Sequence, residues 1–245
     1  MRVCNAKNWE KMGPAQFAGL KNIKVESLGN HHVPINHGEA LELFKNRMET
    51  HSFTPTKEVG LLSPDRLKFV YVSEVQNEGN EYAFNLGFVN YNDRSRALEV
   101  ISGEKVFVCS NEMYTGIVQE SRRRHTTHVW KILEEKFEFG INRFSEFIEA
   151  RRGQIDMLKE EKFNEPRFAA AILHLHRHSS FGNTDIGRIV TEWDNPSFQY
   201  GTHQRSAWNF QNACTYVIKE NIEDPVRRIS VCKDVDASIQ HALVA

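Results

Sequence analysis

Consecutive arginines followed by a histidine are the residues of this chain whose types and spacing could do chemistry. The run is Arg122, Arg123, Arg124 and His125. One guanidinium group can donate two hydrogen bonds to the oxygens of a phosphate, and it can also stack on a nucleic-acid base. Arg123 and Arg124 cannot both face inward on any regular element, so part of the run must be solvated. We therefore predict that this run binds the phosphates of a nucleic acid.

Other arginines extend this predicted patch. One pair lies in a predicted turn and another pair lies on a long predicted helix. The complete predicted nucleic-acid-binding set is Arg94, Arg96, Arg122, Arg123, Arg124, His125, Arg151 and Arg152. The alternative is a solvated approach to a helix, in which the run forms ion pairs with nearby carboxylates. Those carboxylates would be Glu120, Glu134 and Glu135.

A second group of residues, His174, His176 and His178, has a spacing that metals can use. On a helix only His174 and His178 share a face, at positions i and i+4, and zinc or manganese binds such pairs. No carboxylate ligand is evident in the sequence, and a His-Glu-x-x-His motif is absent. The alternative is a helix end whose histidines face solvent. We predict no metal site and no cofactor, with His174 and His178 as the only metal candidates.

His125 and His128 form a third candidate pair, because residues at i and i+3 could bind a phosphate or act as acid and base. No carboxylate that would orient either ring is evident, so we assign no catalytic residues. His31, His32 and His37 lie in a predicted loop and give an equally weak signal. The sequence contains no nucleotide-binding glycine loop and no Gly-x-Ser-x-Gly motif. A non-enzymatic function is therefore favoured.

The composition of the chain, and its net charge in particular, limits the kinds of partner that it can bind. The chain has 245 residues, with 31 lysines and arginines against 32 aspartates and glutamates. A formal net charge of −1 gives no sign of a nucleic-acid or membrane partner, so electrostatic binding must come from local clusters. No early stretch resembles a signal peptide, so we expect none, and no apolar run is long enough for a membrane helix. Its four scattered cysteines indicate reduced thiols and a cytoplasmic location.

The elements that must position these residues begin with a sheet. Apolar residues occupy both faces of the strand that starts at Phe84, so we expect this strand to be covered on both sides. Turn signals occur at short intervals, at Asn77–Asn80, Asn90–Asp93 and Ser102–Gly103. Parallel strands need long crossovers, so this spacing predicts an antiparallel meander of about four strands from Leu67 to Cys109.

Helices follow the sheet. Apolar residues at three- and four-residue steps predict a long amphipathic helix over 128–162, with a bend or break possible at Gly140 or Gly153. Shorter helices are predicted at 39–48, 167–177, 186–193 and 206–219. The predicted fold class is α+β: an antiparallel β-meander packed against a long amphipathic helix, with additional C-terminal helices. We expect one domain over 1–245, with residues 1–62 the least clearly patterned.

Three segments resemble a phage- and plasmid-associated family catalogued as domain of unknown function nine-thirty-two. They are LGFVNYNDRSRALEVISGEKVFVCSN at 86–111, RRRHTTHVW at 122–130 and WNFQNACTYVIK at 208–219, and the resemblance extends over about residues 67–219. Tyr91-Asn92 stands where members of that family commonly carry a Ser-His-Asp-like turn. The resemblance implies a mobile genetic element in a bacterial host cytoplasm. It also implies work in DNA replication, recombination or counter-defence.

The leading prediction is therefore a non-enzymatic phage or plasmid protein that binds single-stranded DNA or anneals strands through its arginine-rich patch. A homo-oligomer would suit this function, because repeated weak contacts along a strand give avidity. One alternative is a protein-binding inhibitor of host defence, whose partner is a host protein. A further alternative is a metal-dependent nuclease that uses the His174 cluster. No membrane partner is predicted.

Overall fold

A computed structural model describes residues 9–78, 81–106, 111–117, 124–126, 128–200, 205–222 and 224–244. Its strands are β1 (Glu10–Met12), β2 (Lys57–Leu62), β3 (Lys68–Glu78), β4 (Tyr82–Tyr91), β5 (Glu99–Val106) and β6 (Asn111–Ile117). A 3-10 helix spans Pro14–Asn22. The α-helices are α1 (His37–Thr50), α2 (Val129–Glu160), α3 (Glu165–His178), α4 (Asn183–Asp194), α5 (Ala207–Asn221) and α6 (Pro225–Val244).

The chain forms two compact units, and neither is a single stretch of sequence. Unit 1 comprises residues 1–78, 83–103 and 116–147, while unit 2 comprises residues 79–82, 104–115 and 148–245. The prediction of one domain over 1–245 stays a prediction.

The strands form one sheet in which each described strand lies beside the next in sequence, from β1 to β6. The pairs β1–β2 and β2–β3 are antiparallel, with Gly60 opposite Tyr71 in the second pair. The later connections are too short for the crossovers that parallel strands require. The α+β class and the antiparallel meander are thus confirmed. The predicted turn at Ser102–Gly103 is wrong, because β5 continues through both residues.

Aromatic side chains fill the core of unit 1. Phe88 of β4 lies with its ring centroid 5.0 Å from that of Phe44 on α1 and 5.3 Å from that of Phe137 on α2. All three side chains are fully buried. Every residue of β4 is buried, which confirms the expectation that both of its faces are covered. The N-terminal part of α2 therefore packs on the meander, as the sequence predicted.

Helix α2 is continuous through both of its glycines, so neither produces the break that the sequence allowed. The two glycines have different surroundings. A Cβ at Gly140 would lie 2.7 Å from Cγ2 of Val100, whereas nothing lies within 4 Å of the same position at Gly153. Gly140 thus permits a close approach of helix and strand, and Gly153 has no steric role.

Unit 2 contains the four helices α3–α6. Side-chain oxygens of Asn164 and Ser206 accept hydrogen bonds from the first turns of α3 and α5, which satisfies backbone N–H groups that have no helical partner. Cys214 on α5 and Cys232 on α6 are both fully buried. Burial raises the pKa of the Cys214 thiol, so it behaves as a small apolar core residue. Among the described residues, none of the helices is long and apolar enough to cross a bilayer.

The two glycines of α2 allow a matched test of its packing. Gly153→Ala should raise the free energy of unfolding by about 0.5–1 kcal/mol, because alanine favours the helix and meets no neighbour. Gly140→Ala should instead lower it by roughly 1–3 kcal/mol, because the new methyl group overpacks the contact with Val100. Urea denaturation of both variants measures the difference. Equal effects of the two substitutions would contradict the close approach at Gly140.

Candidate phosphate-binding pocket

Three separate loop segments of unit 1 enclose a pocket of about 450 Å³. The first runs from Gly29 to His32, the second from Arg94 to Ala97, and the third from Arg124 to Thr126. These segments bring together three arginines and three histidines from distant parts of the sequence. We call this site the cationic pocket.

Two asparagine side chains at the end of β4 bind Ile35, in the loop that connects the first segment to α1, and so attach this loop to the sheet. Asn92 accepts the Ile35 backbone N–H at 2.8 Å and donates to the Ile35 carbonyl at 2.9 Å. Asn90 donates to the same carbonyl at 2.9 Å. All of these hydrogen bonds are buried. We call this arrangement the amide clamp, and it brings the loop before α1 to the turn after β4.

His37 extends the amide clamp and has one defined tautomer. Its Nε2 lies 3.1 Å from the Arg66 carbonyl, which can only accept, so the proton is on Nε2. Nδ1 then accepts a hydrogen bond from Asn90 Nδ2 at 2.9 Å. Burial lowers the pKa of His37 to about 4, against opposing effects of the Arg66 carbonyl and Asp65. His37 is therefore a neutral structural residue rather than a pocket ligand.

Local hydrogen bonds shape the first segment around His32. Gly29 has φ of +140°, a conformation that favours glycine, and its carbonyl accepts from the His32 N–H at 3.0 Å. The Leu28 N–H donates to His32 Nδ1 at 3.0 Å. The next residue, Val33, donates its N–H to the His125 carbonyl at 3.3 Å, which joins the first and third segments.

The second segment is a turn held by Asp93. Its Oδ1 accepts from the Ser95 N–H at 3.0 Å and from the Ser95 hydroxyl at 2.6 Å, and its Oδ2 forms an ion pair with Lys68 Nζ at 3.1 Å. These contacts outweigh burial and lower the pKa of Asp93, so the carboxylate stays charged. Arg94 has a positive φ of +66° in this turn and donates to the Leu28 carbonyl at 3.3 Å.

Two buried imidazole rings line the pocket. His32 is 6% exposed and His125 is 7% exposed, and the rings stack with centroids 5.8 Å apart and an interplanar angle of 1°. His125 lacks a hydrogen-bond partner at either ring nitrogen, and His32 lacks one at Nε2. Burial, together with the charges of His32 and His37, lowers the pKa of His125 to about 4, although Asp93 acts in the opposite direction. Both rings are thus largely neutral near pH 7 and have three unused polar atoms.

The three arginines of the pocket differ in their partners. Arg96 binds Glu99 Oε2 through Nη2 at 2.7 Å and through Nε at 3.1 Å, so its charge is already balanced. Arg94 and Arg124 are exposed and form no ion pair within the described part of the chain. These two guanidinium groups give the pocket its uncompensated positive charge.

The predicted patch is therefore only partly assembled in one place. Arg94, Arg96, Arg124 and His125 line the cationic pocket, whereas Arg122 and Arg123 lie outside the described residues. Arg152 belongs to unit 2 and forms an ion pair with Glu149 at 2.7 Å. Sequence spacing gave no signal that His32 and His125 would meet, because residues so far apart become neighbours only through tertiary contacts such as the Val33 N–H to His125 carbonyl bond.

Assignment of Arg151 to the patch is wrong, because its side chain is buried. Arg151 is 2% exposed and donates to Glu104 Oε1 at 2.6 and 3.1 Å, to Gln211 Oε1 at 2.9 Å and to Gln154 Oε1 at 2.5 Å. Burial alone would lower the pKa of Arg151, but the carboxylates of Glu104 and Asp236 outweigh it and raise that pKa. Arg151 is thus the centre of a buried polar network in unit 2.

Of the remaining histidine candidates, His174 and His178 lie side by side on α3 as predicted, whereas His125 and His128 do not form a pair. His128 is exposed and precedes the first residue of α2, so it shares no helical face with the buried His125. In unit 2 the ring of His174 lies 4.8 Å from that of His178 and 4.9 Å from that of His241, measured between centroids. Within the residues that the structure describes, no three histidine, cysteine or acidic side chains are arranged to hold a metal ion.

The buried histidines predict a pH dependence of stability. His37 and His125 each have a pKa of about 4 in the folded protein, against about 6.5 in an unfolded chain. Between these values only the unfolded chain binds the protons, so the free energy of unfolding should fall with decreasing pH, by about 1.4 kcal/mol per pH unit for each histidine.

Urea denaturation from pH 7.5 to 4.5 should therefore show a shallower pH dependence for His125→Phe than for the unmodified protein. His128→Phe is the matched control, because that side chain is exposed and three residues away. An unchanged slope in His125→Phe would contradict the neutral, buried state of His125.

The buried network predicts unequal effects for two neighbouring arginines. Arg151→Met should lower the free energy of unfolding by roughly 3–5 kcal/mol, because it leaves the Glu104 carboxylate buried without its ion-pair partner. The double variant Arg151→Met/Glu104→Leu should recover most of this loss. Arg152→Ala, which removes a partly exposed ion pair, should cost about 0–1 kcal/mol. Urea denaturation that gives equal costs for the two arginines would argue against the network.

No family model, no curated protein and no solved structure matches this chain. The resemblance to domain of unknown function nine-thirty-two stays a hypothesis, and the geometry of the cationic pocket is the basis for the function that follows.

Proposed function

We propose that this protein binds single-stranded nucleic acid without catalysis and that the cationic pocket is its phosphate-binding site. The observation that carries the proposal is the convergence of Arg94 and Arg124 on one pocket, with no carboxylate partner for either among the described residues. Guanidinium groups in this state bind phosphate oxygens through charge-assisted hydrogen bonds. The proposal extends to Arg122 and Arg123, which are adjacent in sequence to Arg124.

The local distribution of charge supports this function better than the total charge does. The chain has a formal net charge of −1, so no long-range attraction draws nucleic acid to the whole surface. Arg96 is neutralised by Glu99 and Arg151 by Glu104. Binding then depends on a few phosphate contacts, and we expect modest affinity, a shallow salt dependence set by the number of those contacts, and little base preference.

Assembly into a homo-oligomer would strengthen such binding, because each additional pocket on the same strand raises the effective concentration of the next. A phage or plasmid origin, with a function in recombination or strand annealing, fits this mode of binding. It stays part of the proposal.

A salt titration tests the phosphate contacts. For single strands each neutralised phosphate adds about 0.7 to the slope of log affinity against log salt. Arg94→Ala/Arg124→Ala should therefore lower that slope by about 1.4 and weaken binding of an unphosphorylated oligonucleotide, as measured by fluorescence anisotropy. Lys162→Ala/Arg177→Ala is the charge-matched control, because both side chains are exposed and form no ion pair within the described part of the chain.

Two results would count against the proposal. If the parent protein has no measurable affinity for single strands at low salt, the nucleic-acid function is wrong and the inhibitor of host defence replaces it. If the control variant lowers the slope as much as the pocket variant does, the phosphates bind elsewhere on the protein.

A further inference from the structure

The unpartnered ring nitrogens of the cationic pocket are the observation that goes furthest beyond general phosphate binding. A buried polar atom without a hydrogen bond costs free energy, so folded proteins rarely retain several of them in one place. Here three such atoms, both nitrogens of His125 and Nε2 of His32, belong to side chains that line the same pocket. A ligand that accepts hydrogen bonds would remove this cost.

The hydrogen bond from Leu28 determines what His32 can offer to a ligand. Its Nδ1 accepts the Leu28 N–H, so that nitrogen has no proton and the proton of the neutral ring is on Nε2. The unpartnered Nε2 is therefore a donor, and its ligand atom must be an acceptor. His125 can donate from one nitrogen when neutral and from both when protonated.

The charge of the pocket matches a doubly charged group. Arg94 and Arg124 are its two uncompensated cations, since Arg96 is bound to Glu99. A phosphate in the middle of a strand is a diester with one negative charge. A terminal phosphate is a monoester with a charge of about −1.5 to −2 at pH 7 and three acceptor oxygens.

The arrangement of buried and exposed residues also favours a terminal phosphate over an internal one. Arg94 and Arg124 are exposed, whereas His32 and His125 are buried. We therefore assign the arginines to the mouth of the pocket and the imidazoles to its floor. A diester has a chain on both sides and would need two exits from the floor. A monoester has one substituent, so its free oxygens can reach the imidazoles while the strand leaves through the mouth.

We propose that the cationic pocket binds the terminal phosphate of a single strand, with Arg94 and Arg124 at its mouth and His32 and His125 donating to its oxygens. This assignment rests on the proposed function, because it names which phosphate of the strand enters the pocket. The same phosphomonoester group occurs in free nucleotides, so the experiment must separate the two sources.

The test compares three oligonucleotides of one sequence that carry a 5′-phosphate, a 3′-phosphate or no terminal phosphate, with an internal fluorophore. At pH 7.5 and moderate salt, one of the phosphorylated strands should bind at least about tenfold more tightly than the unphosphorylated strand, which corresponds to about 1.4 kcal/mol. Free nucleoside monophosphate should compete only weakly, because it lacks the remaining contacts of the strand.

Two variants locate the effect in the pocket. His125→Phe keeps a ring of similar shape and removes both nitrogens, so it should abolish most of the advantage of the phosphorylated strand. Its thermal stability should be equal or higher, since the unpartnered nitrogens are gone. Arg124→Ala should also reduce the advantage. Because the Arg124 side chain is exposed, this variant should fold even if His125→Phe does not. His128→Phe is the matched control.

Each other outcome has a definite meaning. Equal affinity for the three strands, with the salt slope retained, would overturn the terminal-phosphate assignment and leave the proposed function standing. Absence of binding to any strand would overturn both. Tight binding of the free nucleoside monophosphate without binding of strands would also overturn both, since the monoester would then come from a small molecule. An unchanged phosphate advantage in His125→Phe and Arg124→Ala would place the strand end elsewhere.

Discussion

The amide clamp is the constraint on which unit 1's pocket depends. A loop without regular structure has no neighbouring backbone to satisfy its buried polar groups, and Ile35 is fully buried. The carboxamide of Asn92 has both a donor and an acceptor, so one side chain binds both the N–H and the C=O of Ile35. His32 lies a few residues before Ile35, and Arg94 follows Asn92 closely. The same hydrogen bonds therefore bring a histidine loop and an arginine turn to one place.

The buried guanidinium of Arg151 and the buried imidazoles of the pocket differ in their hydrogen bonding. In unit 2 that guanidinium is bound by Glu104, Gln211 and Gln154, although Oε2 of Glu104 has no hydrogen-bond partner. In unit 1 the rings of His32 and His125 are buried with unused nitrogens. A buried guanidinium with its hydrogen bonds made is typical of a structural network. Buried imidazoles with unused nitrogens beside a pocket are typical of a ligand-binding site.

Local sequence patterns predicted most of the fold and only part of the pocket. The three- and four-residue period of α2 and the alternation in β4 follow from repeating geometry, so both elements were predictable from single residues and their neighbours. The turn predicted at Ser102-Gly103 was wrong, because a glycine inside a strand resembles a turn residue when the pairing of that strand is unknown. The burial of Arg151 depends on Glu104 and Gln211, which are distant in sequence, and a run of charge predicts solvent exposure by default. The stacking of His125 with His32 rather than His128 was also not predicted, because His32 is distant from His125 in sequence.

The interleaving of the two units has a consequence for shortened forms of the protein. Each unit is built from three stretches of sequence, so no single cleavage of the chain separates one unit from the other. A fragment that ends at Phe147 contains all of unit 1 together with residues 79–82 and 104–115 of unit 2. Removal of everything after Phe147 would keep residues 104–115 but delete α3–α6, and Glu104 would lose Arg151 as its partner. A truncation at either end of the chain therefore cannot give one unit free of segments of the other.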